Sequence, residues 1–129
     1  MIIFDTDVCI VLLRGNTNIL TRRQQSDDSI GVSFMTVAEL YYGAEKSENP
    51  NRNQQSVEQL LLSLEIIQSD IHILKRFGRL KAELEKSGIP LADADALIAA
   101  TTLEKGSLLI TGNLKHFERI PGLKLENWR

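Results

Sequence analysis

Two kinds of hydrophobic pattern alternate along this chain. Residues 1–5, "SIGVSF" at 29–34, "EIIQS" at 65–69, "SLLIT" at 107–111 and "LKLEN" at 123–127 are short, mostly apolar runs that read as strands. Between them lie longer segments whose apolar residues recur every three or four positions, the period of a helix with one buried face. A first helix is expected to be capped by Thr6 or Asp7 and to end near Gly15, and a second to cover about residues 17–26. "TVAELYYGAEKS" at 36–47 predicts a third, with Thr36 three residues ahead of Glu39 as in a capping box. A fourth, over 51–64, carries Val57, Leu60, Leu61 and Leu64 on one face. Asp70 opens a fifth that runs to Lys86, where Gly88 and Pro90 stop it, and Asp93 opens a sixth that Gly106 closes after Lys105.

Strands alternate with helices, and no tight hairpin signal separates any two strands. That order predicts an α/β fold, a central and mainly parallel sheet flanked by helices on both faces. No repeat, low-complexity tract or linker interrupts the 129 residues, so 1–129 is expected to be one domain.

Composition narrows the functional classes. The net charge is −2, from 15 Lys and Arg against 17 Asp and Glu, whereas a general nucleic-acid binder carries a basic surplus. A polyanion would have to be held by a local patch or through a metal. The first ten residues carry aspartates and no basic segment, unlike a secretory leader, and no apolar run reaches the roughly 18 residues that span a membrane. The single cysteine, Cys9, lies among Val8, Ile10, Val11 and Leu12 and reads as a buried thiol. A cytoplasmic location without membrane contact is the expectation.

The candidate chemistry lies in the acids. In open parallel sheets, ligands bind outside the carboxyl ends of the strands. Asp5 and Asp7 fall at the end of the first strand, Glu39 one turn into the helix after the second, Asp93 and Asp95 at the head of "DADALIAATTL", and Asn113 just past "SLLIT". Glu39 and Asp95 each stand in an apolar helical run, where a carboxylate is costly to bury unless paired or bound to a cation. Each acid alone could be a turn or cap residue, and Asp93 is the one that best suits a pure N-cap. Two acids per helix start exceed what capping needs.

All-oxygen donors suit a hard cation, Mg²⁺ or Mn²⁺, over zinc. No histidine–cysteine cluster competes: His72 lies in a helix without a partner, and His116 stands alone in "NLKHF". Such a cation activates water and offsets the charge that develops on a phosphoryl group. It would also let a mildly acidic chain accept a phosphate. Phosphate-binding glycine loops, the dinucleotide fingerprint and the nucleophile elbow of serine hydrolases are all absent.

With these residues in view, "IIFDTDVCI", "SFMTVAELYYGAEKS" and "GIPLADADALIAATTLEKGSLLITGNLKHFERIPGLKLENW" resemble a PIN domain, and within that fold a VapC-type toxin of bacterial toxin–antitoxin pairs. The resemblance implies a Mg²⁺- or Mn²⁺-dependent endoribonuclease that slows translation, often by cutting transfer RNA or another structured RNA. It places the family's strand-end acid on Asp5, its helix glutamate on Glu39 and its later acid on Asp95, as catalytic residues and metal ligands. Thr6, Asp7, Asp93 and Asn113 fall in supporting positions. Two departures stand out: Asp7 occupies a position commonly held by Asn, and Asn113 and His116 occupy the neighbourhood of the family's last acid. The resemblance also implies a VapB-type antitoxin as partner, a homodimer, and operator DNA bound only through the antitoxin.

Arg14, Lys46 and Lys115, with Arg22 and Arg23, are candidates to grip the RNA backbone, each with solvated surface as the plainer reading. Tyr41, Tyr42 and an exposed part of "LLLSL" are the expected seat of the antitoxin's apolar segment, and Trp128 is expected to pack the last strand against the body. Two other functions fit part of the pattern. One is a degenerate fold that binds RNA or protein without cutting, although it has no reason to bury acids. The other is a metal-dependent phosphatase of small substrates, for which "DTD" and Thr111 fit but a later Asp-Asp pair is missing.

Overall fold

The computed structural model describes residues 1–129. Five strands, β1 (Ile2–Phe4), β2 (Ile30–Ser33), β3 (Glu65–Ile67), β4 (Leu108–Ile110) and β5 (Leu125–Glu126), form one sheet in the order β3-β2-β1-β4-β5. Every neighbouring pair is parallel, with Ile3 opposite Gly31 on one side and Leu109 on the other. The three inner strands, IIF, IGVS and LLI, are almost wholly buried, as unbroken apolar runs must be when both faces are covered. Exposed acids, Glu65 in β3 and Glu126 in β5, mark the two edges, where charge discourages further strand pairing.

Successive residues of β1 serve opposite faces. Ile2 and Phe4 enter a core with Val8, Cys9 and Leu12 of α1 (Thr6–Leu13), Ile19 of α2 (Thr17–Gln25), Leu40 of α3 (Phe34–Glu45), and Val57 and Leu61 of α4 (Pro50–Leu62). Ile3 enters a second core with Leu80 and Leu84 of α5 (Ile71–Lys86), Ile98 and Ala99 of α6 (Asp93–Lys105) and Phe117 of α7 (Leu114–Phe117). Each fully buried large side chain contributes roughly 1.5–3 kcal/mol. Trp128 packs edge-on against Phe4, ring centroids 5.7 Å apart, and so ties the chain beyond β5 to the central strand as expected. Cys9 is buried, and burial pushes its thiol up to about 12, leaving it protonated and unreactive.

The helix starts depart from expectation by a residue or two, with physical causes. Asp5, not Thr6 or Asp7, caps α1, its carboxylate accepting from the Thr6 N–H. Ser33 caps α3 by accepting from the Thr36 N–H, so the helix begins at Phe34 and Thr36 and Glu39 form no capping box. Asp93 is not a cap: α6 starts after Ala92 with no side-chain cap, and Asp93 reaches Lys81 instead. Pro50 opens α4, where its missing N–H costs nothing. Asp70 does cap α5, and Gly88, at φ +70°, takes the left-handed turn after it that other residues resist. The one-turn helix α7 covers Leu114–Phe117, a segment for which the sequence pattern predicted no element. No helix is long and apolar enough to cross a membrane.

Candidate active site

Because all strands run one way, the segments that follow β1, β2 and β4 leave the same edge of the sheet. The chain adds β2 and β3 on one side of β1, then β4 and β5 on the other. The crevice where that order reverses lies between β1 and β4, the usual place for a ligand in such sheets. Asp5 stands there, 4% exposed. Its Oδ1 accepts from the Thr6 N–H at 2.7 Å and its Oδ2 from the Thr111 hydroxyl at 2.7 Å. Thr111 in turn accepts from the Asn113 N–H at 3.0 Å, which fixes the hydroxyl's orientation.

Asp7, one turn-start further on, crosses the same crevice. Its Oδ2 accepts from the Gly112 N–H at 2.9 Å and lies 3.5 Å from Nη1 of Arg129. Its Oδ1 is buried with no hydrogen-bond partner. A Cβ at position 112 would come within 2.6 Å of Asp7 Oδ2 and 2.3 Å of Arg129 Nη1, so glycine permits this approach. Burial foremost, with the charge of Asp7 and against the lowering effect of the Thr111 and Thr6 bonds, brings the Asp5 carboxyl up to about 7.

Glu39 reaches this edge from α3. The Thr6 hydroxyl donates to Glu39 Oε1 at 2.7 Å and lies 3.0 Å from the Thr36 hydroxyl. Thr6 thus joins the acid of α3 to the residue beside Asp5. Asp95, half-buried in the first turn of α6, is linked elsewhere: its Oδ2 lies 3.3 Å from Nδ1 of His116 in α7. His116 is therefore not alone, as its sequence surroundings suggest, because the return of β4 brings α7 against the head of α6. Asp93 is exposed and bonded to Lys81 at 2.8 Å, away from the crevice. Asn113 is exposed and contributes its backbone N–H.

The candidate cations divide. Arg14 and Lys46 line a cavity of about 510 Å³ with Glu39, and Lys115 lines another of about 400 Å³ with Asp95. Arg22 and Arg23 are committed to structure instead. Arg22 lies over the Trp128 ring at 5.2 Å and 3.6 Å from Glu126, and Arg23 donates to Ser63 at the end of α4. Sequence pattern did not single out Gly112 or Arg129 and offered Thr36 only as a cap, because their roles arise from contacts across the fold.

Could these residues hold a hard cation? The donors are all oxygen, Asp7 presents an unsatisfied buried oxygen, and Asp5 beside it gains from any positive charge that offsets its burial. These features fit Mg²⁺ or Mn²⁺. No three His, Cys, Asp or Glu side chains close into a ready-made cage, so the expected convergence of the acids is only partial. That suits an ion held by one or two carboxylates that keeps most of its water, the habit of Mg²⁺.

An all-parallel five-stranded sheet with acids at the carboxyl ends of its inner strands defines a PIN-like α/β/α protein, and the PIN domain family matches residues 2–123. Ribonuclease VapC2 of Haemophilus influenzae is 43% identical over 125 residues, covering 96% of this chain and 95% of that one. The tRNA(fMet)-specific endonuclease VapC of Salmonella typhimurium is 36% identical over 125 residues, with the same coverage. The solved structure of VapBC2 from Rickettsia felis bound to a promoter DNA fragment superposes with a TM-score of 0.95 at 32% identity, over 100% of both chains. The chain belongs to the PIN domain family, and within it to the VapC ribonucleases.

Proposed function

We propose that this chain is a divalent-cation-dependent endoribonuclease toxin that cuts transfer RNA or another structured RNA and thereby slows translation. The observation that carries the reading is the β1–β4 crevice. A buried Asp5, held by neutral donors beside an Asp7 oxygen with no partner, is a carboxyl that a bound cation would keep ionised. Asp5, Glu39 and Asp95 are the proposed catalytic acids and ligands for Mg²⁺ or Mn²⁺, direct or through water. A cation bound there supplies activated water and neutralises charge on the phosphoryl group. Thr6 orients Glu39, Thr111 and the Thr6 N–H orient Asp5, and Gly112 with Arg129 positions Asp7.

The similarity to a tRNA(fMet)-specific endonuclease supports an RNA substrate, and the similarity to VapBC2 on promoter DNA supports a VapB-type antitoxin as partner. Exposed Tyr42 and Leu62, 65% and 81% accessible, offer apolar area for that partner. Operator DNA would be bound through the antitoxin, the toxin would pair as a homodimer, and residues 1–129 would act as one cytoplasmic domain. The test is to express the chain alone and sequence the 5′ ends of cellular RNA fragments, with Asp5→Asn as control. The expected result is discrete cuts in the wild type that need Mg²⁺ or Mn²⁺ in vitro and vanish in the variant. Cutting at equal rate by Asp5→Asn would overturn the assignment.

A further inference from the structure

Beside Asp95 the surface opens into a cavity of about 400 Å³, within the range of about 300–1,000 Å³ that compact ligands occupy. Its two sides differ in chemistry. Half-buried Ile89 and Leu91, from the turn between α5 and α6, give an apolar wall. Lys115, His116 and Arg119, from α7 and the residues after it, line the cavity as well. Glu118 lies there too, but no carboxylate is within ion-pairing distance of Lys115 or Arg119. Three cations of neighbouring α5 and α6 are otherwise engaged: Arg76 with Glu104, Lys81 with Asp93, Lys105 with Asp70.

An apolar wall with unpaired cations beside it matches a nucleotide, whose base presents a flat apolar face and whose phosphate presents charge. Position adds to the match. Asp95 belongs both to this cavity and to the proposed acids, so an RNA strand lying on those acids has the cavity as its next station.

We propose that this cavity is the subsite for the nucleotide adjoining the scissile bond. Its base rests on Ile89 and Leu91, its phosphate is held by Lys115 and Arg119, and His116 fixes Asp95 between cavity and acids. The proposal rests on the ribonuclease reading and deepens it by saying where the substrate is gripped.

The test pairs two measurements on the full chain and its Lys115→Ala/Arg119→Ala variant, both substitutions being at exposed positions. The first is binding of a fluorescent single-stranded RNA oligonucleotide in chelator, as a function of salt. The second is steady-state cleavage of an RNA that the wild type cuts. Freeing the one phosphate that both cations hold should flatten the slope of log K against log salt by roughly 0.7, the value per neutralised phosphate on a single strand. The loss in cleavage should be concentrated in KM, and an unchanged melting temperature would exclude misfolding as its cause.

If the wild type cuts RNA and the variant matches it in slope and KM, the subsite is wrong while the ribonuclease reading stands. If the wild type neither binds nor cuts RNA, that reading fails and takes the subsite with it. If RNA binding is intact but an acidic peptide or the antitoxin is no longer bound, the cavity serves a protein and the proposal is overturned.

Discussion

At the β1–β4 crevice, Asp5 is held by the Thr6 N–H and the Thr111 hydroxyl, neither of which carries a charge, while Asp7 beside it has the Gly112 N–H and the more distant Arg129. At the α6–α7 end, Asp95 faces an imidazole, and Lys115 and Arg119 stand in water nearby. Both ends present carboxylates to the same edge of the fold, yet they solve opposite problems. Uncharged donors fix a carboxylate's direction while leaving its negative charge uncancelled, at the cost of a carboxyl raised to about 7. Exposed cations on mobile side chains fix little, but they can follow a phosphate chain whose path varies. Geometry is set at the buried end, and adaptability is kept at the wet one.

The sharpest way to break this contrast is Asp5→Asn. An amide can keep both local bonds, since its oxygen accepts from the Thr6 N–H and the Thr111 hydroxyl can rotate to accept from its NH₂. The fold should survive and RNA cleavage should vanish, by a margin beyond the about 10- to 100-fold typical of losing an outer partner. The variant should also melt higher than wild type in metal-free buffer at pH 8. Asp5 is raised from 3.8 unfolded to about 7 folded, so the folded chain holds more protons between those values. Wild-type stability should therefore fall, relative to the variant, as pH rises from about 4 through about 7, and the gap should then stay constant. Melting curves across that window in chelator decide it, and a variant that melts lower throughout would recast Asp5 as a structural cap.

A smaller effect is expected from Thr111→Val, which keeps the shape and removes the hydroxyl. Asp5 loses a donor, and the strand end loses about 1–3 kcal/mol for the unsatisfied buried oxygen, readable as a denaturant midpoint. Activity should drop by about 10- to 100-fold, with a weaker response to added Mg²⁺. Asp93→Asn should do least. Its carboxylate is exposed and bonded to Lys81 outside the crevice, so cleavage and its metal dependence should match wild type. A large loss there would extend the site along α6.

Much of the architecture was legible in the chain because two periods, one for strands and one for helices, alternate without ambiguity. Asp5 and Asp7 could be picked out because they follow β1, where a parallel sheet opens its crevice, whereas the expected gathering of Glu39 and Asp95 with them is only partial. The helix caps were misplaced by a residue or two because Ser33 and Thr36, or Asp5, Thr6 and Asp7, offer several oxygens within one turn and only the backbone angle selects among them. The contacts of Thr111, Gly112 and Arg129 and the Asp95–His116 pairing were hidden for a different reason. Thr6 meets Glu39 across 33 positions, Asp5 meets Thr111 across 106, and Asp7 meets Arg129 across 122. No local pattern encodes a contact of that span.

Those long spans bear on how the polypeptide is made. β1 precedes β4 by about a hundred residues, but it sits in the middle of the sheet and needs β4 to flank it. Until Thr111 and Gly112 emerge, Asp5 and Asp7 lie open to water without their anchors. A chain that stops within α6 would carry both acids but lack the Thr111 and Gly112 donors that orient them. The two carboxylates beyond β1 thus gain these partners only once β4 has joined the sheet, which couples the shape of the crevice to completion of the sheet's centre.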